Sequence, residues 1–199
     1  MSSLQRNLQV GSDHSFSLGR TDLISPYEIE TVLNHCCSSL APCGFLYGGD
    51  TCTMVLSTAG FLTFSDVFCG DAQPLGGHYN SCLSLMTAIV RAVIHAADYM
   101  IPPWHISLCP EDILLAQNTS GQIVPKLLLR SGSDFNDAFC QLCHAVYELQ
   151  PKTHADKLES AIKDRCSAGA SDPEEILITL LEFCNRSMYR THRFGEKKS

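Results

Sequence analysis

Between Thr21 and Pro125 the chain has a single basic residue, Arg91, and its first lysine is Lys126. Over the same stretch it has nine acids: Asp22, Glu28, Glu30, Asp50, Asp66, Asp71, Asp98, Glu111 and Asp112. The formal net charge over 199 residues is -7. That sign is wrong for a protein that lives on phosphate backbones, so nucleic acid is not the expected partner. Long apolar runs are missing too. None approaches the roughly 20 residues that a membrane span requires. Met1 to Arg20 lacks the apolar core of a signal peptide, so the chain is expected to be cytoplasmic, with no membrane span. Without an oxidising compartment, the eleven cysteines do not read as a disulfide framework: their number is odd and Cys36 and Cys37 are adjacent. They read as small buried apolar residues. Hydrophobic residues make up 45% of the chain, enough for one sizeable core.

The pattern of elements is largely helical. Residues 1–20, rich in Ser, Gly, Gln and Asn, read as a flexible leader. Ser25 and Glu28 have capping-box spacing with Pro26 at the first helical position. Ile29, Val32, Leu33, Cys36, Cys37 and Leu40 then follow one helix face, which predicts an amphipathic helix ending before Pro42. Two β-rich runs, Cys52 to Leu56 and Phe61 to Phe64, flank Ser57-Thr58-Ala59-Gly60 and predict a hairpin. Cys82 to Ile101 is apolar nearly all round, which predicts a central helix wrapped by other elements and stopped by Pro102 and Pro103. A short helix after Pro110 carries Ile113, Leu114 and Leu115. Further helices are expected over Ser133 to Gln150, Ala155 to Cys166, and Glu174 to about Tyr189, the last capped by Asp172. A basic tail, 191–199, closes the chain. The fold class expected from this pattern is mainly α with one small β-hairpin.

Motifs that carry chemistry are few. Cys140-Gln141-Leu142-Cys143-His144 has the C-x-x-C-H spacing of a haem tether, but Cys143 falls on the apolar face of a predicted helix and no second C-x-x-C offers a zinc site. No metal and no cofactor is expected. His105-Ile106-Ser107-Leu108-Cys109-Pro110-Glu111-Asp112-Ile113-Leu114-Leu115 resembles the protein-kinase catalytic loop H-R-D-L-x-P-x-N-I-L-L. Its chemistry has been replaced: Ser107 stands for the base Asp, Ile106 for the Arg, and Asp112 for the metal-binding Asn. With no Lys before Lys126, nothing can play the strand lysine that holds ATP phosphates. Neither G-x-S-x-G nor H-E-x-x-H occurs, and the chain is not expected to be an enzyme.

Ile24 to Leu40, including Cys36-Cys37-Ser38-Ser39-Leu40, resembles the opening helix of the KIND domains of Spire actin nucleators. Met54 to Phe64 is similar to that family's remnant hairpin, and Ala96-Ala97-Asp98-Tyr99-Met100-Ile101-Pro102 to the close of its hydrophobic central helix. Leu108 to Leu115 resembles the start of the following helix, and Cys140 to Leu149 a later one. The kinase-loop register aligns one element later, and the apolar character of residues 82–101 favours the KIND register. The resemblance implies a non-catalytic, kinase C-lobe-like helical domain over residues 21–190. It implies a module that binds the basic C-terminal tail of an FMN-type formin, and so indirectly actin, in association with the cytoskeleton. The acidic body suits such a ligand. The residues expected at that interface are Asp98 and Tyr99 at the end of the central helix, Glu111 and Asp112 at the start of the next, and Glu148. The alternative is a KIND or pseudokinase-like scaffold for another cytoskeletal or signalling segment.

Overall fold

In the computed structural model, residues 6–10, 13–18, 24–48, 51–64, 79–117, 123–130, 134–148, 160–165 and 172–195 are described. Helices and two antiparallel sheets share one core. Strands β1 (Arg6–Val10), β2 (Asp13–Leu18), β3 (Cys43–Gly48) and β4 (Thr51–Ser57) form a sheet in the order β1-β2-β4-β3. Strands β5 (Leu62–Thr63), β6 (Leu114–Gln117) and β7 (Ile123–Lys126) form the second. The expectation of a mainly α, kinase C-lobe-like domain with one hairpin is corrected accordingly: the fold is mixed.

The reason lies in pairing. β2 falls where composition suggests a loose leader, yet it pairs with β4 along its whole length, from Asp13 opposite Ser57 to Leu18 opposite Cys52. The predicted hairpin does not form either. Its turn does, with Phe61 N donating to Thr58 O at 3.1 Å and Gly60 at φ +84°, where glycine carries no Cβ penalty. But β4 has both edges occupied, by β2 and β3, so the chain leaves the turn for another sheet and β5 pairs with β6, Leu62 opposite Leu115. The short helix expected after Pro110 is a 3-10 turn, Pro110–Asp112, followed by β6. Three consecutive apolar residues fit a helix or a strand equally well, and pairing with β5 and β7 decides.

Helix α1 (Pro26–Leu33) starts as expected: Ser25 and Glu28 complete a reciprocal capping box. It ends well before Pro42. His35 takes the left-handed conformation at φ +53°, Cys36 N donates to Thr31 O and His35 N to Val32 O, a Schellman closure. The chain beyond turns to pair with residues far along the sequence, Ala41 N donating to Leu127 O and Leu127 N to Ser39 O, each at 2.9 Å. Helix α2 (Tyr79–Ala97) buries Leu83, Met86, Ile89, Val90, Val93 and Ala96. It closes in the same manner at Met100, φ +58°, which turns Ile101 back into the core. A 3-10 turn, Pro103–His105, and an isolated bridge between Ile106 and Leu129 follow.

Helix α3 (Phe135–Glu148) packs Phe139 and Leu142 into the core, with the Phe135 and Phe139 rings stacked at 5.8 Å. Residues 160–165 are helical; the rest of the predicted Ala155 to Cys166 helix lies outside the described residues. Helix α4 (Pro173–Gly195) is capped by Asp172, whose Oδ1 accepts from Glu174 N at 3.0 Å, and it packs on α2. It continues through residues 191–195 of the basic tail. Among the described residues no helix is long and apolar enough to cross a membrane.

Candidate functional site

The segment from His105 to Leu115 follows α2 and leads into β6, and its His105, Ser107 and Asp112 side chains are engaged with one another or with the frame. Ser107, at the position of a kinase base, donates its hydroxyl to Asp112 Oδ2 at 2.6 Å. Arg130 donates to the same oxygen at 2.7 Å. Asp112 is only 5% exposed. A buried carboxylate that takes two donors, one of them charged, holds its partners in place. At the other end of the segment, His105 Nδ1 meets Glu28 Oε1 at 2.6 Å, while Glu28 Oε2 accepts from Ser25 N at 2.6 Å. One buried carboxylate thus caps α1 and ties it to the loop after α2. The segment is a structural clasp, with its serine hydroxyl already committed as a donor.

Of the residues expected at a partner interface, the structure keeps some at the surface and draws one inside. Asp98 is exposed in the turn that ends α2. Tyr99 is half-buried against the core, with its ring edge-on to His95 at 5.3 Å. Glu111 is exposed in the second 3-10 turn, beside Asp112, which faces inward to Ser107 and Arg130. Among the described residues no hydrogen bond or ion pair joins Asp98 or Tyr99 to Glu111 or Asp112. Glu148 is the last residue of α3, and its side chain lies outside the described residues. The acidic body is therefore less available than its composition suggests. Glu28 and Asp112 are buried and paired, Glu30, Asp98 and Glu111 are exposed, and Asp22, Asp50, Asp66 and Asp71 lie outside the described residues.

Two exposed residues that sequence reasoning passed over follow Asp98 in the chain. Met100 is 72% exposed and Trp104 56% exposed. Met100 is there because the Schellman turn sends Ile101 inward and leaves its predecessor outside. The only signal in the sequence was the break at Pro102 and Pro103 next to the sole tryptophan.

The cysteines divide by burial. Cys37, Cys52, Cys82 and Cys143 are buried and Cys140 is partly so, whereas Cys36, expected inside with its neighbour, is exposed past the end of α1, as is Cys109. In the C-x-x-C-H stretch His144 is exposed. Among the described residues no group of three or more His, Cys, Asp and Glu side chains is placed to hold a metal. Burial pushes the Cys43 thiol up to about 12 and the Cys82 thiol up to about 11. Both are therefore protonated in the fold at neutral pH. Their contribution to stability is present below the ordinary thiol value and is lost as pH rises through these raised values. Alkylation of the native protein at pH 8, mapped by mass spectrometry, is expected to modify Cys36 and Cys109 first and Cys82 only after denaturant is added. Labelling of Cys82 as fast as Cys36 would contradict this placement.

No family model and no curated protein matches the chain by sequence. Solved structures do resemble it. The crystal structure of the cytoplasmic fragment of Geobacillus thermodenitrificans EssB is 12% identical, covers 90% of this chain and 88% of its own, and superposes with a TM-score of 0.51. At that identity the likeness is one of fold alone.

Proposed function

We propose that the chain is a non-catalytic protein-interaction module whose acidic surface holds a basic segment, the C-terminal tail of an FMN-type formin being the occupant that the KIND-like stretches favour. The observation that carries this reading is Met100. A non-glycine residue in the left-handed region costs roughly 1 kcal/mol, and a thioether in water returns nothing to the fold. Met100 is held there at φ +58° and is exposed, in a stretch of chain that also leaves Asp98 before it and Trp104 after it exposed. A carboxylate, a deformable apolar side chain and an aromatic face are together suited to a segment that alternates Lys or Arg with apolar residues. The acid steers the encounter, the indole accepts a cation on its face, and the methionine fills the space between.

Such a peptide is expected to bind one to one and to weaken as salt rises from about 0.05 to 0.3 M, because exposed pairs are screened over roughly 10 Å. Reversing Asp98 and Glu111 to Lys should lower affinity about tenfold, mainly through the on-rate, and Trp104→Ala should act through the off-rate. Met100→Gly separates function from fold. It should raise stability by about 1 kcal/mol while weakening the peptide, whereas a residue with no partner would show only the first effect. If the double reversal leaves affinity and salt dependence unchanged, this surface is not the site. Residues 54–64 do not pair as the hairpin that the KIND resemblance implies, which leaves room for a second reading, a scaffold for another cytoskeletal or signalling segment. A panel of basic tails in which the formin peptide does not bind and another does would select it.

A further inference from the structure

Helix α2 is not apolar on every side. Ser84, Thr87, Ala88, Arg91, Ala92 and His95 recur at the spacing of one helix face, and this face forms one side of a groove of about 590 Å³. The opposite sides come from Ser38 and Ser39 after α1, from Ile123 to Pro125 of β7, and from Leu181 and Cys184 of α4. Small side chains along a helix ordinarily let a neighbour close in. Here α4 touches the face where Thr87 Oγ1 and Cys184 Sγ are 3.9 Å apart, and the lining still encloses a volume within the usual range for a small-molecule site.

The charge in this groove runs against the rest of the protein. Arg91 is the sole base between Thr21 and Pro125, and it lies in the groove without a hydrogen bond or ion pair among the described residues. The next base in the chain, Lys126, reaches the same rim, where its Nζ donates to the carbonyl of Ser38. His95 completes the set, its Nδ1 2.8 Å from Ser39 Oγ. Arg91 is therefore the cation that lines the opening, with Lys126 held beside it on the Ser38 carbonyl. Asp98 is the acid nearest in sequence, at the exposed end of the helix and not among the lining residues. Thr87 is already committed to Leu83 O at 2.7 Å, which leaves the guanidinium, the Ser38 and Ser84 hydroxyls and the Ser39–His95 pair among the polar groups lining the space.

We propose that this groove binds a small organic anion, a carboxylate or phosphate monoester on an apolar body. Arg91 would meet the oxyanion with its planar fork, and Pro125, Leu181 and the two alanines would cover the body. The ligand has the opposite charge to the peptide proposed above, and the two readings stand or fall separately.

Calorimetric titration of the whole chain with inorganic phosphate, phenyl phosphate and benzoate tests it. Saturable one-to-one binding of at least one organic anion is expected, tighter than inorganic phosphate by about tenfold, since a buried ring adds apolar contact. Arg91→Gln should weaken it by about tenfold or more, and Arg91→Lys by less. Ala88→Leu fills the groove without touching the charge and should abolish binding, with the melting temperature as the control on fold for each variant. The proposal is overturned if neither organic anion saturates at about 10 mM, a concentration that would detect even weak sites. It is overturned equally if inorganic phosphate binds as tightly as phenyl phosphate, or if folded Arg91→Gln or Ala88→Leu protein binds like the wild type. Phenyl phosphate against benzoate tells which oxyanion the site prefers.

Discussion

Asp112→Ala is expected to lower the unfolding free energy by about 2–4 kcal/mol, a large share of the total for a domain of this size. The carboxylate is 5% exposed and accepts from the Ser107 hydroxyl at 2.6 Å and from Arg130 at 2.7 Å. Its removal leaves a buried hydroxyl without an acceptor, which costs about 1–3 kcal/mol, and a guanidinium without its counter-ion. Arg130 retains some contact with solvent, its side chain being 31% exposed, so the effect falls short of that for a fully buried pair. Ser107→Ala removes one donor only and should cost about 1 kcal/mol. Urea unfolding curves of the two variants measure the difference. An Asp112→Ala midpoint indistinguishable from wild type would mean that the clasp does not form. The same variant bears on function: if Asp112 touched a partner, the folded protein would lose peptide affinity, whereas the geometry here predicts a loss of stability with the affinity of the folded fraction unchanged.

Glu28→Ala comes next, at about 2–4 kcal/mol, because one side chain serves two ends. Glu28 Oε2 accepts from the Ser25 amide and Oε1 meets His105 Nδ1, both at 2.6 Å, and the residue is only 3% exposed. Ser25→Ala, which removes only the other half of the capping box, should cost about 1 kcal/mol. The excess for Glu28 is the link to His105, and a double-mutant cycle with His105→Ala isolates it, with an expected coupling of about 1.5–3 kcal/mol. Amide exchange gives a local readout. Loss of the link should speed exchange in α1, at Ile29 and Val32, more than in α2. Equal costs for Ser25→Ala and Glu28→Ala would remove the link from the account.

Both effects arise from contacts that join distant parts of the chain, and this separates what was legible from what was not. The start of α1 could be read from Ser25, Pro26 and Glu28, and the cap of α4 from Asp172, because a cap is satisfied within three residues of itself. The core faces of α2 and α3 follow from the 3.6-residue period, which needs no knowledge of what packs on them. Apolar spacing through Leu40 suggested a longer first helix, and it was the pairing of residues 39–41 with Leu127 that ended it. That pairing offers Ser39, Ala41 and Leu127 backbone partners which a continued helix would have had to forgo.

Strands suffered most, since a two- or four-residue strand has no stability alone and is defined by its neighbour. Leu62 meets Leu115, and Leu18 meets Cys52, across gaps that no local window spans. The same holds for the candidate sites. The sequence alone determined that the chain is acidic and that no lysine precedes Lys126. Only the tertiary structure decided which acids remain free: Asp98 and Glu111 stay in water, while Glu28 and Asp112 are taken up by His105 and Arg130, 77 and 18 residues away. It alone brought Arg91 and the Ser39–His95 pair to one groove. Charge is a property of the residue, but its availability is set by whatever the fold places within hydrogen-bonding distance, and burial makes that choice because an unpaired ion inside costs more than the pair.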